Sequence, residues 1–186
     1  MRPFRAITGG KRRASLPAVS LQRKRFWRCL PSQYIQTILE AGPSFTRERR
    51  YSLRGEFGAL YFSGSKELSL SEASSRAGQD AEAMACVEFE ITVGRLVDLT
   101  RPATRAALRI QLDDLILPRI SADAYRVPQN IARQVYQAGL NGLLAPSAHR
   151  PQGDRADWFN LVLYPANLVR AFIRQARVEA ISLASR

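Results

Sequence analysis

The residue types able to do chemistry in this chain are few, and their spacing excludes more than it allows. There is one histidine, His149, and there are two cysteines, Cys29 and Cys86, with no C-x-x-C pair. A zinc site built by the protein therefore lacks its usual ligand set, and no metal is expected. A Ser-His-Asp or Cys-His mechanism would have to pass through that single imidazole, around which no motif stands. No G-x-x-x-x-G-K-[ST] loop is present, and Gly55-Glu56-Phe57-Gly58 does not complete G-x-G-x-x-G. Any nucleotide would have to be held by side chains.

The elements that must position such side chains can be read in outline. Phe26 to Leu30 reads as a short strand stopped by Pro31, and Ser32 to Leu39 as a short helix. Gly42 to Arg54, with four arginines and a Gly-Pro break, reads as a loop. Ala59 to Ser63 is an apolar run between two glycines, a buried strand with Tyr61 and Ser63 on one face and Leu60 and Phe62 on the other. Ser65 is placed to cap a helix running to Ala77, with Gly78 as its stop, and on it Leu68 and Glu72 share a face. If Leu68 reaches the core, Glu72 lies at the core's edge. Phe89, Ile91 and Val93 alternate with polar residues as in a half-buried strand, which Leu96 to Leu99 could continue. Pro128 suits the start of a helix carrying Ile131, Val135 and Ala138, ended by Gly139. Leu143 to Ala145 and Asn160 to Tyr164 read as strands. A last helix, Asn167 to Leu183, is expected to bury Leu168, Phe172 and Ala176. Strands and helices mix without strict alternation, so the fold class is α+β: one mixed domain over residues 26–186.

The net charge of +12 and pI near 10.8 suggest a nucleic-acid partner until the charge is divided along the chain. Residues 1–25 hold eight Lys/Arg and no acid, with few large apolar side chains, and read as a flexible basic tail. The other 161 residues hold 20 basic and 16 acidic groups, an ordinary balance. The best apolar run, Leu161 to Phe172, contains Pro165, Asn167 and Arg170, so no membrane span is expected. The isolated cysteines, flanked by apolar residues, suit small buried side chains in a reducing compartment, and a cytoplasmic location is expected.

Three stretches together resemble the RES domain family, named for Arg, Glu and Ser residues. Trp27-Arg28 matches the aromatic-Arg pair that opens these domains. Arg50-Tyr51, then Gly58-Ala59-Leu60-Tyr61-Phe62-Ser63, then Glu72 eleven residues after Tyr61, look like the Gly-Arg-aromatic, Leu-Tyr-x-Ser/Ala and Glu series. Gly142 to Ala148, followed by Asn160 to Tyr164, is similar to the segment that carries the family's serine, here Ser147, and Tyr125 to Gly139 to the helix before it. The likeness covers residues 25–165. The family usually has glycine before its second arginine, where this chain has Glu48-Arg49-Arg50-Tyr51, so Arg49 competes with Arg50 for that place.

The resemblance implies an ADP-ribosyltransferase-like fold and an intracellular bacterial toxin that consumes NAD as substrate. The ADP-ribosyl group would pass to water, phosphate or a protein side chain. It implies Arg50, Tyr61, Glu72 and Ser147 as catalytic residues, with Arg28, Tyr51 and Asn160 binding the dinucleotide. The chemistry fits: arginine forks can grip pyrophosphate oxygens in two places, and a carboxylate can hold ribose hydroxyls and stabilise positive charge at the anomeric carbon. Nicotinamide leaves neutral, so one carboxylate can suffice. The implied partner is an antitoxin with an Xre-like helix-turn-helix domain, which would make any contact with DNA indirect; a homo-oligomer is compatible. Taken singly, the same residues have plainer readings: Arg50 a solvated loop residue, Tyr61 core, Glu72 an exposed helical residue, Ser147 a turn residue and Asn160 a backbone cap. The rival reading is a non-catalytic basic nucleic-acid-binding module acting through the tail and the Arg47 to Arg54 loop. A third is a retained fold that binds NAD without turning it over.

Overall fold

A computed structural model describes residues 16–77, 83–118, 124–149 and 156–182. Its frame is a six-stranded mixed sheet. Strand β1 (Val19–Pro31) runs antiparallel to β3 (Ala83–Asp98), from the pair Val19 and Leu96 to the pair Pro31 and Met84. Strand β2 (Leu60–Ser63) meets β1 at Trp27 opposite Ser63 and lies antiparallel to β5 (Phe159–Leu163). Strand β4 (Gly142–Pro146) is antiparallel to β5 and parallel to the C-terminal end of β3. These pairings close a ring of five strands, β1-β2-β5-β4-β3, back to β1. The sixth, β6 (Phe172–Ser182), adds antiparallel to the free edge of β3.

The two faces of the ring bury different clusters, as the period of two requires. Leu60, Phe62, Phe89, Ile91, Leu144, Leu161 and Leu163 meet inside it. On the outer face Leu143, Ala145 and Val162 pack against Ile131, Ala132 and Val135 of helix α5 (Arg126–Gln137) and against Tyr51, Phe57 and Tyr164. Three shorter helices complete the α part: α1 (Gly42–Thr46), α3 (Pro102–Leu108) and α4 (Leu112–Ile116). Helix α2 (Lys66–Ala77) covers the outer face over Cys29, Met84 and Cys86. Its cap is as the sequence indicates: the Leu68 amide donates to Ser65 Oγ at 3.3 Å, and Leu68 is 1% exposed. The mixed α+β class is thus observed. Gly142 has no substitute, because a Cβ there would stand 2.0 Å from the Val162 carbonyl oxygen of the neighbouring strand.

Four expectations need correction. Residues 172–182 form β6 and not a helix; Phe172 is 52% exposed and Ala176 is exposed too, because the long free edge of β3 offers a ladder of backbone partners that a local 3.6-residue period cannot reveal. Strand β1 starts at Val19, inside the stretch read as tail. There the Arg23 and Arg25 side chains pair with Glu90 and Glu88 of β3, so part of the basic run is balanced across strands. Residues 1–15 lie outside the described residues. The segment 42–54 contains α1 and two isolated bridges, Arg49 to Ser52 and Leu53 to Phe57, and is not a bare loop. Finally, Cys29 and Cys86 form a disulfide. They stand directly opposite each other on β1 and β3, a juxtaposition that only strand register creates. The expected stop at Gly78 also falls outside the described residues.

Candidate functional site

The ends of three strands and one helix converge on the outer face of the ring. Ser63 closes β2, Asn160 is the second residue of β5, and Ser147 follows the last residue of β4. Register sets two of them side by side: Ser63 is the partner of Asn160, and Asn160 that of Ala145. Helix α2 then brings Glu72 over this row. Ser63 Oγ donates to Asn160 Oδ1 at 3.0 Å, Asn160 Nδ2 donates to Glu72 Oε1 at 2.9 Å, and Ser147 Oγ donates to the same oxygen at 2.7 Å. Ser63, Asn160 and Ser147 are all buried, and Glu72 is half-buried. Donors held in rigid strand ends fix the carboxylate's orientation. Close backbone approach is built in beside it: a Cβ on Gly64 would lie 2.4 Å from the Asp157 carbonyl oxygen and 2.9 Å from the Phe159 ring.

A tyrosine group adjoins this centre. The Tyr51 amide donates to Tyr61 Oη at 3.1 Å, and Tyr61 Oη donates to Ser52 Oγ at 3.4 Å. Tyr51 is 2% exposed, and its hydroxyl and that of Tyr164 have no hydrogen-bond partner among the described residues. Burial pushes the Tyr51 phenol well above its ordinary value. The Arg50 charge opposes that rise, and Tyr61 and Glu72 add to it, which places all four groups in one electrostatic neighbourhood. Burial likewise raises Tyr164. Both phenols stay neutral at any physiological pH.

The arginines are placed differently. Arg50 directs Nη1 at the carbonyls of Leu115 (3.0 Å) and Ala124 (2.9 Å) and Nη2 at that of Leu117 (2.7 Å), and its guanidinium lies 5.5 Å from the centre of the Tyr125 ring. It ties the Arg49 to Leu53 segment to the end of α4 and to the residues leading into α5. Arg28 is half-buried, with its guanidinium 5.9 Å from the centre of the Phe62 ring. The structure therefore gathers Glu72, Ser147 and Asn160 by direct bonds and Tyr51 with Tyr61 beside them. Arg50 is bound to backbone, and Arg28 stands over an interior ring.

Three further residues belong to the centre and were not singled out as site residues. Ser63 had a signal, since alternation puts it on the Tyr61 face. Ser71 and His149 had none beyond lying one residue before Glu72 and two after Ser147. Among the described residues no group of three or more His, Cys, Asp or Glu could hold a metal ion, and no helix is long and apolar enough to cross a membrane.

No protein of curated function matches the sequence. A chain in the crystal structure of the M. tuberculosis MbcT-MbcA toxin-antitoxin complex has the same fold, with a TM-score of 0.68 at 18% identity, over 89% of this chain and 87% of that one. At that identity the likeness speaks for the fold alone. The RES domain family model matches residues 25–183, which takes in β1 from Arg25 onward, the strand ends at the carboxylate and all of β6. By that match the chain belongs to the RES domain family.

Proposed function

We propose that this chain is the toxin of a toxin-antitoxin pair and splits NAD at the nicotinamide-ribose bond. The observation that carries the reading is the Glu72 carboxylate, held on one oxygen by Ser147 and Asn160 at a convergence of strand ends. A carboxylate fixed this way can take ribose hydroxyls and stabilise the oxocarbenium-like centre that develops as the C1′–N bond breaks. The bonding pair leaves with nicotinamide, which becomes neutral and needs no proton. Water, inorganic phosphate or a protein side chain then attacks C1′. Tyr61 is suited to the ribose or nicotinamide, and the neutral, buried Tyr51 supports it from behind through the backbone amide. Arg28 and Arg50 are the cations assigned to the pyrophosphate. Arg50 commits three of its five N–H donors to backbone carbonyls, so its first role is to hold the loop that carries Tyr51, and its Nε proton and second Nη2 proton are left for a phosphate oxygen. Family membership and the toxin-antitoxin setting of the structural neighbour support the toxin reading. We extend it to a partner, an Xre-like helix-turn-helix antitoxin, and to action in the cytoplasm on the NAD pool, a location argued from the family and not from the cysteines, which are bonded to each other.

The test is NAD consumption by the purified protein with and without phosphate, following nicotinamide and the ADP-ribose product together. Nicotinamide release is expected, with the product naming the acceptor. Glu72→Gln keeps the side chain's size and acceptor oxygen but removes the charge, and should lower turnover by about 100-fold or more with folding intact. Full turnover by that variant would remove Glu72 from the mechanism, and a folded wild-type protein that releases no nicotinamide would remove the NAD reading.

A further inference from the structure

Nothing in the reaction just described uses the chain's only histidine, yet it is bound into the centre from both sides. Its Nε2 lies 2.5 Å from Ser71 Oγ on α2, one residue before Glu72. Its backbone amide donates to Ser147 Oγ at 3.0 Å, and its carbonyl oxygen lies 3.3 Å from that hydroxyl. Residues 147–149 therefore touch α2 twice, through Ser147 to Glu72 and through the imidazole to Ser71. Between these contacts the His149 amide holds the oxygen whose proton goes to Glu72.

We infer that His149 is a positioning residue: its imidazole, bonded to Ser71, fixes the segment after β4 so that Ser147 Oγ is aimed at Glu72 Oε1. The hydroxyl of Ser147 has one proton, and among the acceptors that the described residues bring within reach are the Glu72 carboxylate at 2.7 Å and the His149 carbonyl at 3.3 Å. Donation of the His149 amide to the hydroxyl oxygen orients it, and the shorter path to Glu72 takes the proton. Without the imidazole-Ser71 bond, the segment has one tie fewer to α2, the Ser147 hydroxyl can turn to the carbonyl, and Glu72 loses one of the two donors named above. The expected loss is in the transition state, because misplacing a reacting group by a fraction of an ångström costs turnover more than substrate affinity.

This inference rests on the NAD-splitting reading, so its test has an arm that does not need activity. In the kinetic arm, His149→Ala, Ser71→Ala and the double variant are compared. Each single substitution should lower kcat about 10-fold with less than about a twofold change in KM, and the double should be no worse than either alone. His149→Gln, whose amide can reach the Nε2 position, should recover most of the loss. In the second arm the imidazole nitrogen resonances of the sole histidine are recorded for wild type, Ser147→Ala and Glu72→Gln. Both substitutions should shift them if His149, Ser147 and Glu72 form one network. Additive kinetic losses together with an unmoved imidazole would overturn the inference. A shifted imidazole in a wild-type protein that does not cleave NAD would keep the network and reject the reaction.

Discussion

Arg50 offers the sharpest separation between a residue that builds the site and one that acts in it. Its guanidinium makes three hydrogen bonds to backbone carbonyls, at 3.0, 2.9 and 2.7 Å, and stacks on Tyr125. Hydrogen bonds from a charged donor contribute roughly 1.5 to 3 kcal/mol each, and a half-buried group belongs at the low end of that range. Three of them with a cation-π contact come to roughly 5 kcal/mol, from which water reaching the freed carbonyls and regained side-chain entropy take back about 2. Arg50→Ala should then cost about 3 kcal/mol, or a fall in Tm of roughly 6 to 12 °C for a chain of this size. Arg50→Lys should recover little, because a point charge cannot serve three carbonyls set in different directions. Urea unfolding of the three proteins supplies the free energies, and NAD kinetics on the folded fraction supply KM and kcat. An unchanged unfolding midpoint with a raised KM would refute the argument and make Arg50 a phosphate ligand first.

The other expectations concern stability. Replacing Cys29 and Cys86 by serine removes a cross-link spanning 57 residues, which on the chain-entropy account contributes roughly 4 kcal/mol; a midpoint in urea equal to that of the oxidised wild type would contradict it. Hydrogen bonding to Arg133 holds the Glu56 carboxyl below its ordinary range, and Lys66 does the same for Glu179. Depressed folded values mean stabilisation present at neutral pH and lost as pH falls below about 4. The small urea-midpoint gap between wild type and Glu56→Gln should therefore close between pH 7 and 3, and a gap that widens on acidification would refute that sign.

The site was more legible than parts of the frame. Glu72, Ser147 and Asn160 were reachable through the resemblance to the RES domain family; taken singly they read as an exposed helical residue, a turn residue and a backbone cap. The strand from Leu60 to Ser63 and the alternation at Phe89, Ile91 and Val93 were readable from the residues alone, since one buried face writes a period into the sequence. Residues 172–182 wrote no such period. Most of β6 is exposed, so its state is set by pairing with β3, some ninety residues earlier, and Leu168, Phe172 and Ala176 imitate a helical face by coincidence. The Cys29 to Cys86 bond was hidden because it depends on register between strands far apart in sequence. His149 was hidden because its role depends on a helix it meets only in space.

The row formed by Trp27, Ser63, Asn160 and Ala145 across β1, β2, β5 and β4 has a bearing on how the chain reaches its fold. Ser63 and Asn160 are buried polar groups on otherwise apolar strands, and they satisfy each other only in the observed pairing. A slip of β5 by one residue would set Phe159 or Leu161 opposite Ser63 and turn Asn160 inward among Leu60, Phe62 and Leu163. Two stranded polar side chains would then cost about 1 to 3 kcal/mol each. Asn160, which holds the carboxylate, and Ser63, which holds Asn160, thus act as a proofreading device for strand assembly. A single-residue insertion within β2 or β5 would break the Ser63 to Asn160 pairing and the hold on Glu72 in one event.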